Sequence, residues 1–98
     1  MLEQLTQLIN EKVDGKEALG FNVKLDLGDD GVIFIAGGNT PVVVSNDNGD
    51  ADTTFIIGAA DLQAMLSGDL PPTIAFMQGS LRVEGDMAKA MKVGDLFR

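Results

Sequence analysis

A chain of 98 residues, 45% of them hydrophobic, is typical of one domain with one core, and without cysteine it has no disulfide framework. Its net charge of −8 argues against nucleic-acid binding, which needs clustered Lys and Arg, and against electrostatic adsorption to anionic membranes. From the length we expect a single domain over residues 1–98. Since no signal peptide and no apolar run long enough to span a bilayer is present, we expect this domain to lie in the cytoplasm.

The side chains that most enzymes use are missing. Without His and Cys, the chain lacks the commonest general base, the thiol nucleophile and the usual zinc and haem ligands. The serines therefore have no His to activate them, and neither a Gly-x-Ser-x-Gly elbow nor a phosphate-binding glycine loop occurs. The acidic loop at 46–52 lacks the spacing of a calcium loop and reads as a turn. We expect no enzyme activity, no cofactor and no metal.

The first half of the chain reads as a helix followed by antiparallel strands. Apolar residues at spacings of three and four predict an amphipathic helix over residues 1–13. Residues 21–27 alternate apolar and polar side chains, and the turn at 28–31 predicts that residues 32–36 pair back antiparallel. Further turns lead to predicted strands at 41–45 and 52–57.

The strands at 32–36 and 41–45 are apolar on both faces, so the face turned away from the helices also needs cover. Three explanations are open from the sequence: a dimer contact, a flanking segment of the chain, or tolerance of single exposed apolar residues. Pro41 indicates an edge strand, because proline cannot donate to a strand ladder.

The second half predicts three helices and one strand. Gly58 fits the cap of a helix that presents Leu62, Met65 and Leu66 on one face and ends at Gly68, with Asp61 favouring its first turn.

A second short helix is predicted between Asp69, as its cap, and Gly79, with Pro71 or Pro72 in the first turn. The strand at 80–84 places Leu81 and Val83 on one face. Gly85-Asp86 then starts a last helix, whose apolar residues are Met87, Ala90 and Met91.

Several motifs of this half occur in a characteristic order and spacing. They are Asp61-Leu62, Gly68-Asp69-Leu70-Pro71-Pro72, Ala75-Phe76-Met77-Gln78-Gly79, the strand from Leu81 to Val83, Gly85-Asp86, and Leu96-Phe97. Together they resemble the sterol carrier protein 2 (SCP2) lipid-binding domain family, closely over roughly half the chain and by element order elsewhere. The chain departs from the family in keeping only Arg82 of the basic residues around the strand. The resemblance implies an α+β fold with a five-stranded, mostly antiparallel sheet, helices packed on one face, and an apolar tunnel between the layers.

The resemblance also implies a set of ligand contacts. On composition alone the methionines fit an ordinary core, but SCP2-like domains use this region as a tunnel wall, and Met suits a surface that accepts variable acyl shapes. Gln78 is the candidate polar contact, and Phe34 is the alternative to Ile33 and Ile35 if the strand faces the other way. The predicted ligand-binding residues are Leu8, Ile33, Ile35, Leu62, Leu66, Met77, Gln78, Met87, Met91 and Phe97.

The predicted function is therefore non-catalytic binding and transfer of a lipid: a fatty acid, an acyl-CoA, a sterol-like molecule or a phospholipid. Transient, hydrophobic membrane contact and a homodimer are compatible with the sequence. The alternative is an accessory or dimerisation module of a lipid-metabolising system with a vestigial cavity, which the two strands that are apolar on both faces favour.

Overall fold

The computed structural model describes residues 2–13, 20–38 and 42–94. The predictions made for Pro41 and for Leu96-Phe97 lie outside these residues. In chain order the elements are helix α1 (Leu2–Val13), strand β1 (Asn22–Asp26), a short 3-10 turn (Gly28–Asp30), β2 (Val32–Ala36), β3 (Val43–Ser45), β4 (Thr53–Ile57), α2 (Ala59–Leu66), α3 (Pro72–Gln78), β5 (Leu81–Gly85) and α4 (Met87–Gly94). The α+β class is confirmed.

The strands form one five-stranded sheet in the order β3-β2-β1-β4-β5. All neighbours are antiparallel except β1 and β4, which run parallel. The predicted mostly antiparallel sheet is therefore confirmed. The register places Leu25 of β1 beside Ile33 of β2 and Phe55 of β4, so these side chains lie on one face of the sheet.

The helices pack on that face and bury it. Helix α1 packs against α2, β2 and β3, whereas α4 packs against β4 and β5 and α3 packs against β5. The predicted apolar faces are confirmed for α1 and α2, whose buried side chains belong to one core with the inward residues of the strands. Of α3, only Ala75 is buried, because this helix lies at the edge of the core.

A flanking loop covers part of the opposite face. The position that a Cβ atom of Gly49 would occupy lies 3.3 Å from the ring of Phe34, which is half-buried. Asn46 holds this loop, since its Nδ2 donates to the carbonyl oxygen of Val32 (2.9 Å) and to Oγ1 of Thr6 (3.0 Å). Val43 is still 56% exposed, as a single apolar side chain can be. The dimer contact stays a prediction.

The helix ends follow the predicted signals with one exception. Gly58 caps α2, Gly79 ends α3 with a φ of 82°, and the backbone N–H of Lys89 donates to Oδ1 of Asp86 at the start of α4. The prediction that Asp69 caps α3 is wrong. Its backbone N–H donates to the carbonyl of Ala64, which ends α2, and the cap of α3 is Pro71.

Candidate functional site

The space between α3, α4 and the β4–β5 edge of the sheet is a groove of about 360 Å³. Strands β4 and β5, together with Met65 of α2, supply the floor, α3 forms one wall and α4 the other. The residues that line it are Phe55, Met65, Pro72, Thr73, Phe76, Leu81, Val83, Met87, Ala90 and Met91.

Strand and helix periodicity places these side chains together. The register pairs Val83 with Phe55, and alternation puts Leu81 on the same face of β5. On α4, Met87, Ala90 and Met91 are three and four residues apart, so they share one helix face. Ala90 is small and buried, which allows α4 to approach the sheet while the two longer Met side chains extend over the groove.

The groove has a buried floor and an exposed apolar rim. Phe55 and Met65 are almost fully buried, whereas Phe76 is 50% exposed, Met87 48% and Met91 74%. Single exposed apolar residues are common on proteins, but several large ones around one cavity indicate a binding site. The arrangement is therefore suited to an apolar guest that covers these side chains.

No charged side chain lines the groove, and Thr73 is the one polar side chain among its lining residues. Lys89, on α4, lies elsewhere: its Nζ is 3.7 Å from Oδ1 of Asp52 and 4.0 Å from Oδ2 of Asp86, and 5.8 Å from the centre of the Phe21 ring. Within residues 2–13, 20–38 and 42–94, no group of His, Cys, Asp or Glu could hold a metal ion. The groove offers apolar contact rather than acid–base chemistry.

Two of the predicted ligand-binding residues, Met87 and Met91, line the groove. Met77 and Gln78 lie on α3 but are exposed and do not line it, and Phe97 lies outside the described residues. The remaining predicted residues are not at the groove either.

The structure places four of those remaining residues in the packed core. Ile33, Ile35 and Leu62 are fully buried and Leu66 nearly so, and none of them lines the groove. Leu8 is 36% exposed on α1, which packs at the other end of the sheet. An apolar tunnel that passes between the layers stays a prediction. Instead of a tunnel, the described residues show the open groove between α3, α4 and the β4–β5 edge.

Sequence reasoning missed most of the groove lining: Phe55, Met65, Pro72, Thr73, Phe76, Leu81, Val83 and Ala90. One signal was available, since Leu81 and Val83 share the apolar face of a strand that the next helix must cross. The sheet order was the missing information. It puts β5 at an edge, where α3 and α4 meet.

The SCP-2 sterol transfer family matches the chain over residues 2–98, and the chain belongs to that family. Among similar proteins, sterol carrier protein 2 of Gallus gallus is 37% identical over 65 residues, which are 66% of this chain and 12% of that protein. Stomatin-like protein 1 of Mus musculus is 39% identical over 75 residues, 74% of this chain and 19% of that protein. The chain thus spans less than a fifth of these curated relatives.

Solved structures show the same fold. The crystal structure of sterol carrier protein 2 like 2 from Aedes aegypti has a TM-score of 0.77 at 20% identity and covers 96% of this chain and 94% of that one. The palmitated form of that protein in solution has a TM-score of 0.75 at 20% identity, with 98% and 93% covered. None of the described helices is long and apolar enough to cross a membrane.

Proposed function

We propose that this single domain binds one alkyl chain of a lipid in the groove between α3 and α4 and releases it to a membrane or a protein without chemical change. The observation that carries the proposal is an apolar groove whose rim residues are exposed while its floor is buried. Membership of the SCP-2 sterol transfer family supports a lipid ligand. The palmitated form of the Aedes aegypti relative supports an acyl chain as its apolar part.

The size of the groove favours a ligand with a single alkyl chain. A cavity of about 150 Å³ holds one benzene molecule, or about 25 Å³ for each carbon. At that ratio the 360 Å³ groove holds about 14 carbons. A single alkyl chain fits this space, whereas a sterol, with about twice as many carbons, would leave much of its surface outside.

The expected affinity suits a carrier. Ten buried methylenes at about 0.8 kcal/mol each give about 8 kcal/mol, which corresponds to a Kd of about 1 μM. Ordering the chain and leaving one side exposed weaken binding from that value. The expected Kd is therefore above about 1 μM, and a ligand held this moderately can be taken up and handed over.

Displacement of a fluorescent fatty acid, together with native mass spectrometry, tests the proposal. We expect one lipid per protein monomer and micromolar displacement by single-chain lipids. Protein that is repeatedly recovered empty and that binds no fluorescent fatty acid would contradict the proposal. A lipid-free dimer in the same spectra would favour the alternative, an accessory or dimerisation module, for which the exposed Val43 on edge strand β3 is the favouring observation.

The outer face of α3 is the proposed point of brief membrane contact. Ile74 is 41% exposed and Met77 76%, neither lines the groove, and α3 carries no charged residue. An uncharged apolar surface beside the groove can approach a bilayer although the protein is acidic. The membrane that supplies the ligand is then in contact with the wall of its binding site.

Replacing both residues, as Ile74→Ser with Met77→Ser, is expected to slow lipid transfer between zwitterionic phosphatidylcholine vesicles about tenfold, because about five apolar carbons and one sulfur, in part already solvated, no longer enter the interface. Equilibrium affinity should not change, since neither side chain lines the groove. Leu8→Ser is the control, because Leu8 is exposed to a similar extent as Ile74 (36% against 41%) but lies on α1. Unchanged transfer in the double variant, or an equal loss in the control, would contradict membrane contact through α3.

A further inference from the structure

The exposed rim of the groove carries two methionine sulfurs. Met87 and Met91 line the groove and are 48% and 74% exposed, whereas Met65, in the floor, is almost fully buried. Met77 is 76% exposed on α3 but does not line the groove. These four Met side chains therefore differ in how easily a reagent reaches them and in whether a ligand in the groove covers them.

Methionine is also the oxidisable side chain of this protein, because the chain contains no Cys, Trp or Tyr. Hydrogen peroxide converts an accessible Met to methionine sulfoxide. A lone pair of the Sδ atom forms the S–O bond while the O–O bond breaks, and the departing oxygen takes the hydroxyl proton and leaves as water. The thioether is oxidised by two electrons and the peroxide is reduced by two.

Oxidation at the rim changes the surface that the lipid must cover. A thioether is apolar and adaptable, whereas a sulfoxide is polar and holds water at its oxygen. An alkyl chain that lies over Met87 or Met91 then either removes that water or loses contact with the side chain, whose oxygen stays in solvent. Both results lower the affinity for the lipid, and neither requires the groove to be closed.

A bound lipid should shield the same two sulfurs from the peroxide. An alkyl chain in the groove covers Met87 and Met91, since both line it, but leaves Met77 in solvent. Oxidation at the groove therefore acts on the empty protein, whereas the loaded protein keeps its ligand.

We propose that Met87 and Met91 form a modification site that controls lipid uptake: hydrogen peroxide oxidises both in the empty protein, and the sulfoxides weaken lipid binding until they are reduced. Methionine sulfoxide reductases return both epimers of the sulfoxide to the thioether, so the change is reversible. This inference rests on the proposed function and adds the regulation of the same groove, independently of the head group of the lipid.

Peroxide treatment of the intact protein, with peptide mapping by mass spectrometry, tests the site. The peroxide dose is one that leaves the buried Met65 reduced, which shows that the fold is intact. Once Met87 and Met91 are oxidised, we expect the Kd of a fluorescent alkyl probe to rise at least about fivefold. Reductases for both epimers should restore the original Kd. Probe bound beforehand should slow the oxidation of Met87 and Met91 but not that of Met77.

Two variants separate the groove from the rest of the surface. Met87→Leu with Met91→Leu removes both sulfurs from the lining, so peroxide should raise its Kd by less than about twofold. Met77→Leu removes an exposed sulfur outside the groove, so peroxide should raise its Kd as much as that of the unchanged protein. Each rise is measured within one variant, before and after treatment, so that differences in basal affinity do not enter it.

The outcomes separate the two proposals. If the untreated protein binds the probe and full oxidation of Met87 and Met91 raises the Kd by less than about fivefold, the regulation is overturned and the lipid-binding function stands. An equal rise in the double variant, or oxidation of Met87 and Met91 that bound probe does not slow, also overturns the regulation alone. If the untreated protein binds neither the probe nor any other single-chain lipid, both proposals are overturned.

Discussion

Replacing Val83 by Phe is expected to weaken lipid binding about 100-fold. The substitution adds four carbons to a side chain that lines the groove, which at about 25 Å³ per carbon fills about 100 Å³ of the space available to the ligand. About four methylenes of the ligand are then excluded, at a loss of about 3 kcal/mol, which is roughly a hundredfold in Kd. The fold should tolerate the change, because Val83 is half-buried on an edge strand and aromatic residues favour strands.

Arg82→Phe is the matched control for this prediction. Arg82 is the preceding residue on the same strand, is exposed, and lies on the opposite face. Its replacement adds an aromatic ring of the same size outside the groove, so affinity should change by less than about twofold. Both variants are measured by displacement of the same probe. Equal affinities for the two variants would mean that the ligand does not occupy this groove.

Replacing Gly85 by Ala is expected to lower the free energy of unfolding by about 3 kcal/mol. Gly85 has a φ of +92°, where a side chain costs about 1–2 kcal/mol. An added Cβ would also lie 2.5 Å from the carbonyl oxygen of Asp52 and 3.2 Å from Cα of Thr53. These are backbone atoms of the first residue of β4 and of the residue before it, so β4 and β5 must separate at this end, at a further cost of about 1–3 kcal/mol.

The close approach at Gly85 has a structural purpose. The backbone N–H of Asp86 donates to the same carbonyl of Asp52 (3.0 Å), which joins the end of β5 to β4 just before α4 begins. The position of α4, and therefore of the Met87 wall of the groove, depends on this junction. A loss of about 3 kcal/mol is a large share of the stability of about 5–15 kcal/mol that is typical of a domain.

Urea unfolding of Gly85→Ala beside Gly79→Ala measures this effect. Gly79 has a similar φ of +82°, but no other described atom lies within 4 Å of its added Cβ, so only the backbone cost of about 1–2 kcal/mol applies. The difference between the two variants isolates the contact with Asp52. Equal unfolding midpoints for the two variants would contradict the account of the β4–β5 junction.

Local patterns predicted the elements of the fold well. The spacing of Leu5, Ile9 and Val13 predicted α1, and the alternation over residues 21–27 with the turn that follows predicted the β1–β2 hairpin. These features depend on residues close in sequence, where periodicity and turn chemistry decide the structure. The resemblance to the SCP2 family added the five-stranded sheet with its helices on one face.

The groove was harder to predict because it depends on which strands are neighbours. The strands β1 and β4 pair in parallel although they are far apart in the chain, and no local sequence pattern predicts this pairing. Without the sheet order, Ile33 and Ile35 were as plausible as groove residues as Val83 was. The structure puts the two Ile side chains in the core on β2, against which α1 packs, and leaves the open space beside β5.

Helix α3 shows a second limit. Its apolar run was predicted to be a short helix that contributes Met77 to the ligand site, but Ile74, Phe76 and Met77 are at least 41% exposed and only Phe76 of the three lines the groove. An apolar composition indicates that burying a surface is favourable. It does not show whether the core, a ligand or a membrane covers that surface. In the account proposed here, Phe76 covers the ligand, and Ile74 with Met77 contacts the membrane.

NMR of the protein with ¹³C-labelled methyl groups on Met and Ile, mixed with decanol, is the most direct test of where the lipid binds. We expect nuclear Overhauser effects between the alkyl chain and the methyl groups of Met87 and Met91, and none to Ile33 or Ile35. Effects to Ile33 or Ile35 without any to Met87 and Met91 would contradict this expectation, because the lipid would then lie inside the core and not in the groove between α3 and α4.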